Sequence, residues 1–177
     1  MVLLSEIVAS IKMPNRQNKQ KLKILSNWIR KLVRQGKKDL FVRQFTARLL
    51  NARKVRAKDI WREITTLHEF VRDKIIYRKD PNRIEFFQTP NKMLRDYLKG
   101  RSAGDCDDKS ILLSAMLESI GHKTVLVLVN PRGGRYTHVL PFVNYPPGSS
   151  KWVPLETTLP MQPGWMPKTY NKYIIKT

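Results

Sequence analysis

Residues 99–121, KGRSAGDCDDKSILLSAMLESIG, hold the only cysteine of the chain, Cys106, between Asp105 and the pair Asp107-Asp108. An apolar pattern at Leu112, Leu113, Met116, Leu117 and Ile120 follows. That spacing is helical, and Gly121 sits where a left-handed helix stop belongs. The stretch therefore predicts Cys106 at or near a helix N-terminus, where unpaired N–H groups and the helix dipole favour a thiolate over a thiol. The three flanking carboxylates oppose this, because negative neighbours disfavour another anion. Asp105 followed by Asp108 also resembles a capping box with Asp in place of Glu. From these residues alone Cys106 reads either as a nucleophile or as a small buried hydrophobe. The carboxylates read as caps, and no ligand cluster of suitable spacing supports a metal site.

Around this stretch lies a chain of 177 residues, enough for one ordinary domain or a small domain with an appendage. Its 34 basic and 14 acidic residues give a net charge of +20. A single cysteine forms no internal disulfide, which suits a reducing interior. The opening MVLLSEIVASIKM is too short for a membrane span and has neither a basic n-region nor a small-residue cleavage site, so the expectation is a soluble, unprocessed protein without a membrane partner.

The charge is uneven. Residues 12–58 carry sixteen Lys or Arg against Asp39 alone, a local balance of +15 that leaves +5 for all the rest. This divides the chain into a basic helical arm, residues 1–58, and a core, residues 59–177. The arm attracts polyanions: nucleic acid, an anionic wall polymer, or an acidic face of a partner protein. The alternative is a basic face that only solvates a helical arm. Without an RNA-binding or helix-turn-helix signature, nucleic-acid contact through residues 12–58 would be to phosphates and sensitive to salt.

Along the arm, Leu3, Leu4, Ile7, Val8 and Ile11 predict a short amphipathic helix ended by Pro14. Leu22, Leu25, Trp28, Ile29, Leu32 and Val33 predict a second helix, stopped by Gly36, whose apolar stripe must be covered by the main domain or another subunit. Asp39 and Asp59 are caps for a third and a fourth helix. His68, beside the apolar stripe of the fourth, reads as a packed or surface side chain. Asp80-Pro81-Asn82 and Thr89-Pro90 are turns, and Met93 to Leu98 a short helix. After Gly121 the period changes to that of strands: Thr124–Val129, Tyr136–Val143 and Lys151–Thr157, joined by tight turns into an antiparallel meander packed by the Cys106 helix. The Pro-, Trp- and Tyr-rich tail from Thr158 reads as irregular surface structure.

Cys106 heads a helix, His138 lies in the second strand and Glu156 closes the third. With the strands adjacent, His138 and Glu156 can lie side by side, the imidazole facing the thiol, as nucleophile, base and orienting acid. The imidazolium would then offset the acidic flanks of Cys106. His122, in the helix-to-strand turn, reads as solvent-facing and is not preferred as the base.

The run GDCDDKSILLSAMLESIG, then THV at 137–139 and WVPLET at 152–157, resembles the transglutaminase-like superfamily of papain-type cysteine enzymes, and most of all the small transglutaminase-like proteins of phages and prophages. IIYRKDPNRIEFFQTP at 75–90 and PGWMP at 163–167 extend the likeness over roughly residues 40–170. The resemblance implies an α+β fold with a papain/transglutaminase-like core, a cysteine-bearing helix on a small antiparallel sheet, preceded here by the basic helical region. It implies Cys106 as nucleophile and His138 as base, with Glu156 where the family usually has Asp. No motif carries the family's oxyanion stabilisers; the backbone N–H of Cys106 is a physically reasonable donor, and Gln88 and Trp152 are side-chain alternatives.

The function so implied is attack of Cys106 on a carboxamide or peptide carbonyl of a protein or peptide substrate, with transfer of the acyl group to water or to an amine. No cofactor and no metal is expected, since no calcium-binding loop is evident. The alternative is a structural or assembly component of a virus particle that keeps the fold, its arm bound to packaged DNA or an acidic virion partner. Either places the protein in a virion or in the host cytoplasm. A host-directed effector has no specific support in the sequence.

Overall fold

A computed structural model describes residues 7–12, 19–80 and 84–177. Its organising element is the cysteine helix α5, Cys106–Ser119, in which every side chain from Asp107 to Leu117 is buried. A helix covered on all sides needs neighbours on all sides. They are α1 (Lys19–Lys38), α2 (Leu40–Ala52), α3 (Ile60–Lys74) and α4 (Pro90–Leu98), with a four-stranded antiparallel sheet on the remaining face. The mixture of helices with small sheets makes the fold α+β. Two apolar clusters flank α5. One joins Val42, Ile64, Leu67, Val71 and Leu94 to Leu112 and Leu113; the other joins Ile29, Leu32 and Val33 to Ile111, Leu126 and Val139. The apolar stripe of α1 is thus covered within this chain, and its basic face is left outside.

The caps predicted from sequence are in place. Asp39 accepts the Val42 N–H and Asp59 the Arg62 N–H. The helix expected from Met93 to Leu98 starts earlier, at Pro90, because Thr89, expected in a turn, caps it as α4. Gly121 follows α5 at φ +99°, a conformation that only glycine adopts without strain. Gly36 does not stop α1, which runs two residues further. A Cβ there would lie 2.6 Å from Pro90 Cγ and 2.8 Å from Ala115 Cβ, so this glycine lets three helices meet.

The sheet order is β7-β6-β5-β8, with β5 Thr124–Val129, β6 His138–Asn144, β7 Trp152–Pro154 and β8 Lys172–Lys176. The expected meander is present, with two changes. The third strand is three residues rather than seven. Pro154 cannot donate to a ladder, and beyond it only the Leu155 N–H still reaches β6, at Pro141 O, so Glu156 lies past the strand end. The tail, expected to be irregular, supplies β8, because the free edge of β5 takes Val125–Val129 into register with Lys176–Lys172.

Four short strands complete the fold among the described residues: β1 Ile7–Lys12, β2 Ile76–Tyr77, β3 Ile84–Gln88 and β4 Ala103–Gly104. The expected N-terminal helix is corrected at Ile7–Lys12, which is a strand antiparallel to β3. Ile7, Val8 and Ile11 are β-branched and suit an extended chain once an edge is on offer. The rest of that helix, with Pro14, and the Pro81-Asn82 part of the expected turn lie outside the described residues. Among the described residues, no helix is long and apolar enough to cross a membrane.

Candidate functional site

The backbone ahead of Cys106 is held by β4, Ala103–Gly104, which pairs in parallel with β2 so that Tyr77 stands opposite Gly104. A Cβ on Gly104 would come within 2.7 Å of Asp108 Cβ; the close approach of the first turn of α5 excludes a side chain there. Asp105 is the N-cap, its Oδ1 accepting the N–H groups of Asp107 and Asp108 at 3.1 and 3.4 Å. Cys106 is therefore the first helical residue, half-buried, as expected.

The expected capping box is not closed. The Asp108 carboxylate does not return to the N-cap; it takes the Gln88 backbone N–H at 2.9 Å and the Gln88 side-chain amide at 2.8 Å. Burial first and the Asp105 charge second push the Asp108 carboxyl up to about 7, against the Gln88 donors. Asp105, Asp107 and Asp108 each bring an oxygen within 4.8 Å of the others, an arrangement that can attract a cation. Their oxygens already accept the helix N–H groups and the Gln88 amide, so the cluster is accounted for as the cap and anchor of α5.

His138 opens β6 and Glu156 follows β7, and the two meet. His138 Nε2 lies 2.7 Å from Glu156 Oε2, the glutamate side chain wholly buried and the histidine partly exposed. The second oxygen, Oε1, accepts both the N–H and the hydroxyl of Thr158 at 2.7 Å. Burial raises the Glu156 carboxyl, but the His138 hydrogen bond and charge and the Thr158 donors outweigh it and hold the group at about 2. An ionised carboxylate can only accept, so Nε2 carries a proton, and Nδ1 is the ring nitrogen left to exchange one.

Cys106 reaches the same region through α5. It packs in one cluster with Val139, the neighbour of His138 on β6, and one turn along the helix Ser110 Oγ donates to Val139 O at 3.1 Å. Sequence reasoning missed three residues here. His68, on α3, is wholly buried, and its Nε2 lies 2.6 Å from the Glu156 carbonyl oxygen. The carbonyl can only accept, so Nε2 is protonated there as well, and burial lowers the pKa of the ring. His68 thus pins the backbone of Glu156 from behind. Lys109 is buried and donates to Arg72 O and Ile75 O, carbonyls at the end of α3. Burial lowers its ammonium to about 8, against the opposing pull of Asp73 and Glu156. Tyr77, its side chain about half exposed, has its hydroxyl raised first by partial burial and then by the charges of Cys106, Asp105, Asp107 and Asp80. A lone His on a helix stripe or a Lys inside an apolar run carries no local signal of such partners.

No family model matches the chain, and no curated protein matches it.

Two further expectations are corrected. His122 does not face solvent; it is buried, its Nε2 2.8 Å from Glu63 Oε2, because the turn after α5 tucks against α3. Neither proposed side-chain oxyanion donor stands ready. Gln88 gives its amide hydrogens to Ala103 O and Asp108, and Trp152 lies on the outer strand, paired opposite Asn144.

The buried glutamate makes a prediction for stability. Its folded pKa is depressed, so its contribution is complete above the ordinary carboxylate range and is lost as pH falls from about 4.5 to about 2. A shift of that size corresponds to about 3 kcal/mol. Urea midpoints measured from pH 5 down to pH 2.5 are expected to fall steeply for the wild type and less steeply for Glu156→Gln. Equal slopes would show that Glu156 is not the titrating group.

Proposed function

We propose that the protein is a thiol enzyme acting on amide bonds, with Cys106 as nucleophile, His138 as base and Glu156 as the group that orients the base, on a papain/transglutaminase-like core. One observation supports it above the rest: a buried, ionised Glu156 holds His138 by Nε2 and leaves Nδ1 to serve a thiol. The cysteine at the start of α5, packed against the apolar cluster that includes Val139, is the residue of the right chemistry in that region.

In this reading Nδ1 takes the proton of Cys106 and Sγ attacks the carbonyl carbon of a carboxamide or peptide. The tetrahedral intermediate collapses as the imidazolium returns its proton to the leaving amine. Water then gives the acid and regenerates the thiol; an amine in its place gives a new amide. Glu156 stays anionic throughout and stabilises the imidazolium. The likeness to phage and prophage proteins supports a place in a virion or in host cytoplasm, and the basic face of α1 supports a particle-associated role beside the chemistry.

The test is direct acylation. Incubated with 4-nitrophenyl acetate, the protein is expected to show an acetyl adduct on Cys106 by peptide mass spectrometry, absent in Cys106→Ala and discharged faster when hydroxylamine is added. A thiol that acylates no faster than a free cysteine peptide would remove the enzyme reading.

A further inference from the structure

We propose that the exposed face of α1 binds the phosphate backbone of nucleic acid without reading its sequence. The inference is independent of the thiol chemistry. Asn27, Arg30, Lys31, Arg34, Gln35 and Lys38 line a shallow groove along this helix. They recur at helical spacing, so four cations share one face within about 12 Å of helix length. Lys31, Arg34 and Lys38 are exposed.

The groove is built rather than merely charged. Arg30 Nε donates to the Lys176 carbonyl at 2.9 Å and Nη1 to Asn27 Oδ1 at 3.3 Å, fixing the guanidinium at the junction with β8. Lys31 Nζ stands 4.8 Å from the ring centroid of Trp28, itself packed on the core. Between Arg30 and Lys38, only Lys37 has a carboxylate partner among the described residues, Glu118 at 2.8 Å. The exposed Lys172 and Lys176 of β8 continue the positive surface beyond Arg30.

The side chains favour nucleic acid over an acidic protein. A protein interface centres on buried aromatic or aliphatic anchors, and among the described residues no apolar side chain lines this groove. Regularly spaced Arg and Lys with Asn and Gln between them suit phosphate oxygens, which need donors and charge alone. The same absence of apolar side chains leaves nothing to stack on bases, so binding is indifferent to sequence.

Four phosphate contacts predict that log K falls with log salt at a slope of about −3.6 on duplex DNA, a loss of about 150-fold between 50 and 200 mM salt. The experiment is fluorescence anisotropy of labelled duplexes with the full chain. Two unrelated sequences are expected to bind alike. Lys31→Ala/Arg34→Ala/Lys38→Ala is expected to bring the slope to about −1. Lys31→Arg/Arg34→Lys/Lys38→Arg should retain the wild-type slope, as should the control Arg132→Ala/Lys151→Ala/Lys168→Ala, which removes equal charge from other exposed positions. Equal slopes for the two alanine triples would overturn the assignment to α1. Polyglutamate of matched charge binding as tightly as DNA would overturn the choice of nucleic acid.

Discussion

Glu156→Gln is expected to slow acylation of Cys106 by about 10³-fold or more at neutral pH, the scale on which removing the orienting carboxylate of a triad acts. The substitution keeps the shape of the side chain but reverses one hydrogen bond. Its carbonyl oxygen stays with the Thr158 donors, so its NH2 faces His138 Nε2, which must then become the acceptor. The ring proton moves to Nδ1, the nitrogen that should take the proton of the thiol. Stopped-flow acylation by 4-nitrophenyl acetate across pH 5 to 9 measures this, and a rate within a few-fold of wild type would exclude Glu156 from the mechanism. Glu156→Asp is expected to fail as well, although the resembling family usually has Asp. His68 holds the Glu156 carbonyl and Pro141 holds the Leu155 N–H, so the backbone cannot advance to return the missing methylene. The longer side chain is what a strand ending at Pro154 requires.

Gly36→Val is expected to destabilise the fold by about 3 kcal/mol, the upper part of the range for an overpacked core. The first atom of any side chain would stand 2.6 Å from the Pro90 ring and 2.8 Å from Ala115 Cβ. Neither neighbour is the end of a flexible side chain, so α1 must move away from α4 and α5, and the cluster of Ile29, Leu32, Val33 and Ile111 loosens. In a domain of this size the melting temperature should fall by roughly 6 to 12 °C. Ala115→Gly in the same chain is expected to restore part of that loss in thermal unfolding followed by circular dichroism. A Gly36→Val protein as stable as wild type would mean that the three helices do not meet so closely.

What could be read from the chain follows the range over which each signal acts. Asp39, Asp59 and Asp105 cap their helices by binding N–H groups two or three residues on, so composition and position sufficed. Thr124–Val129 was legible as a strand with its bounds, being a β-branched run between turns. Ile7–Lys12 was misread because its apolar spacing fits either period, and the edge of β3 that decides between them lies more than seventy residues away. Gly36 was misread because a glycine that stops a helix and one that lets another helix approach look alike in one dimension.

The sequence by itself determined that a cysteine stands at a helix start, that a short antiparallel meander follows, and that the positive charge is concentrated before residue 59. Those are consequences of neighbours in the chain. Tertiary structure alone decided that His138 reaches Glu156, that His68 pins the backbone of that glutamate, and that α1 turns its apolar stripe to α5 and its cations outward. Each joins groups from separate elements, and a hydrogen bond between distant residues leaves no periodicity behind. Its existence depends on packing that brings both ends within 3 Å.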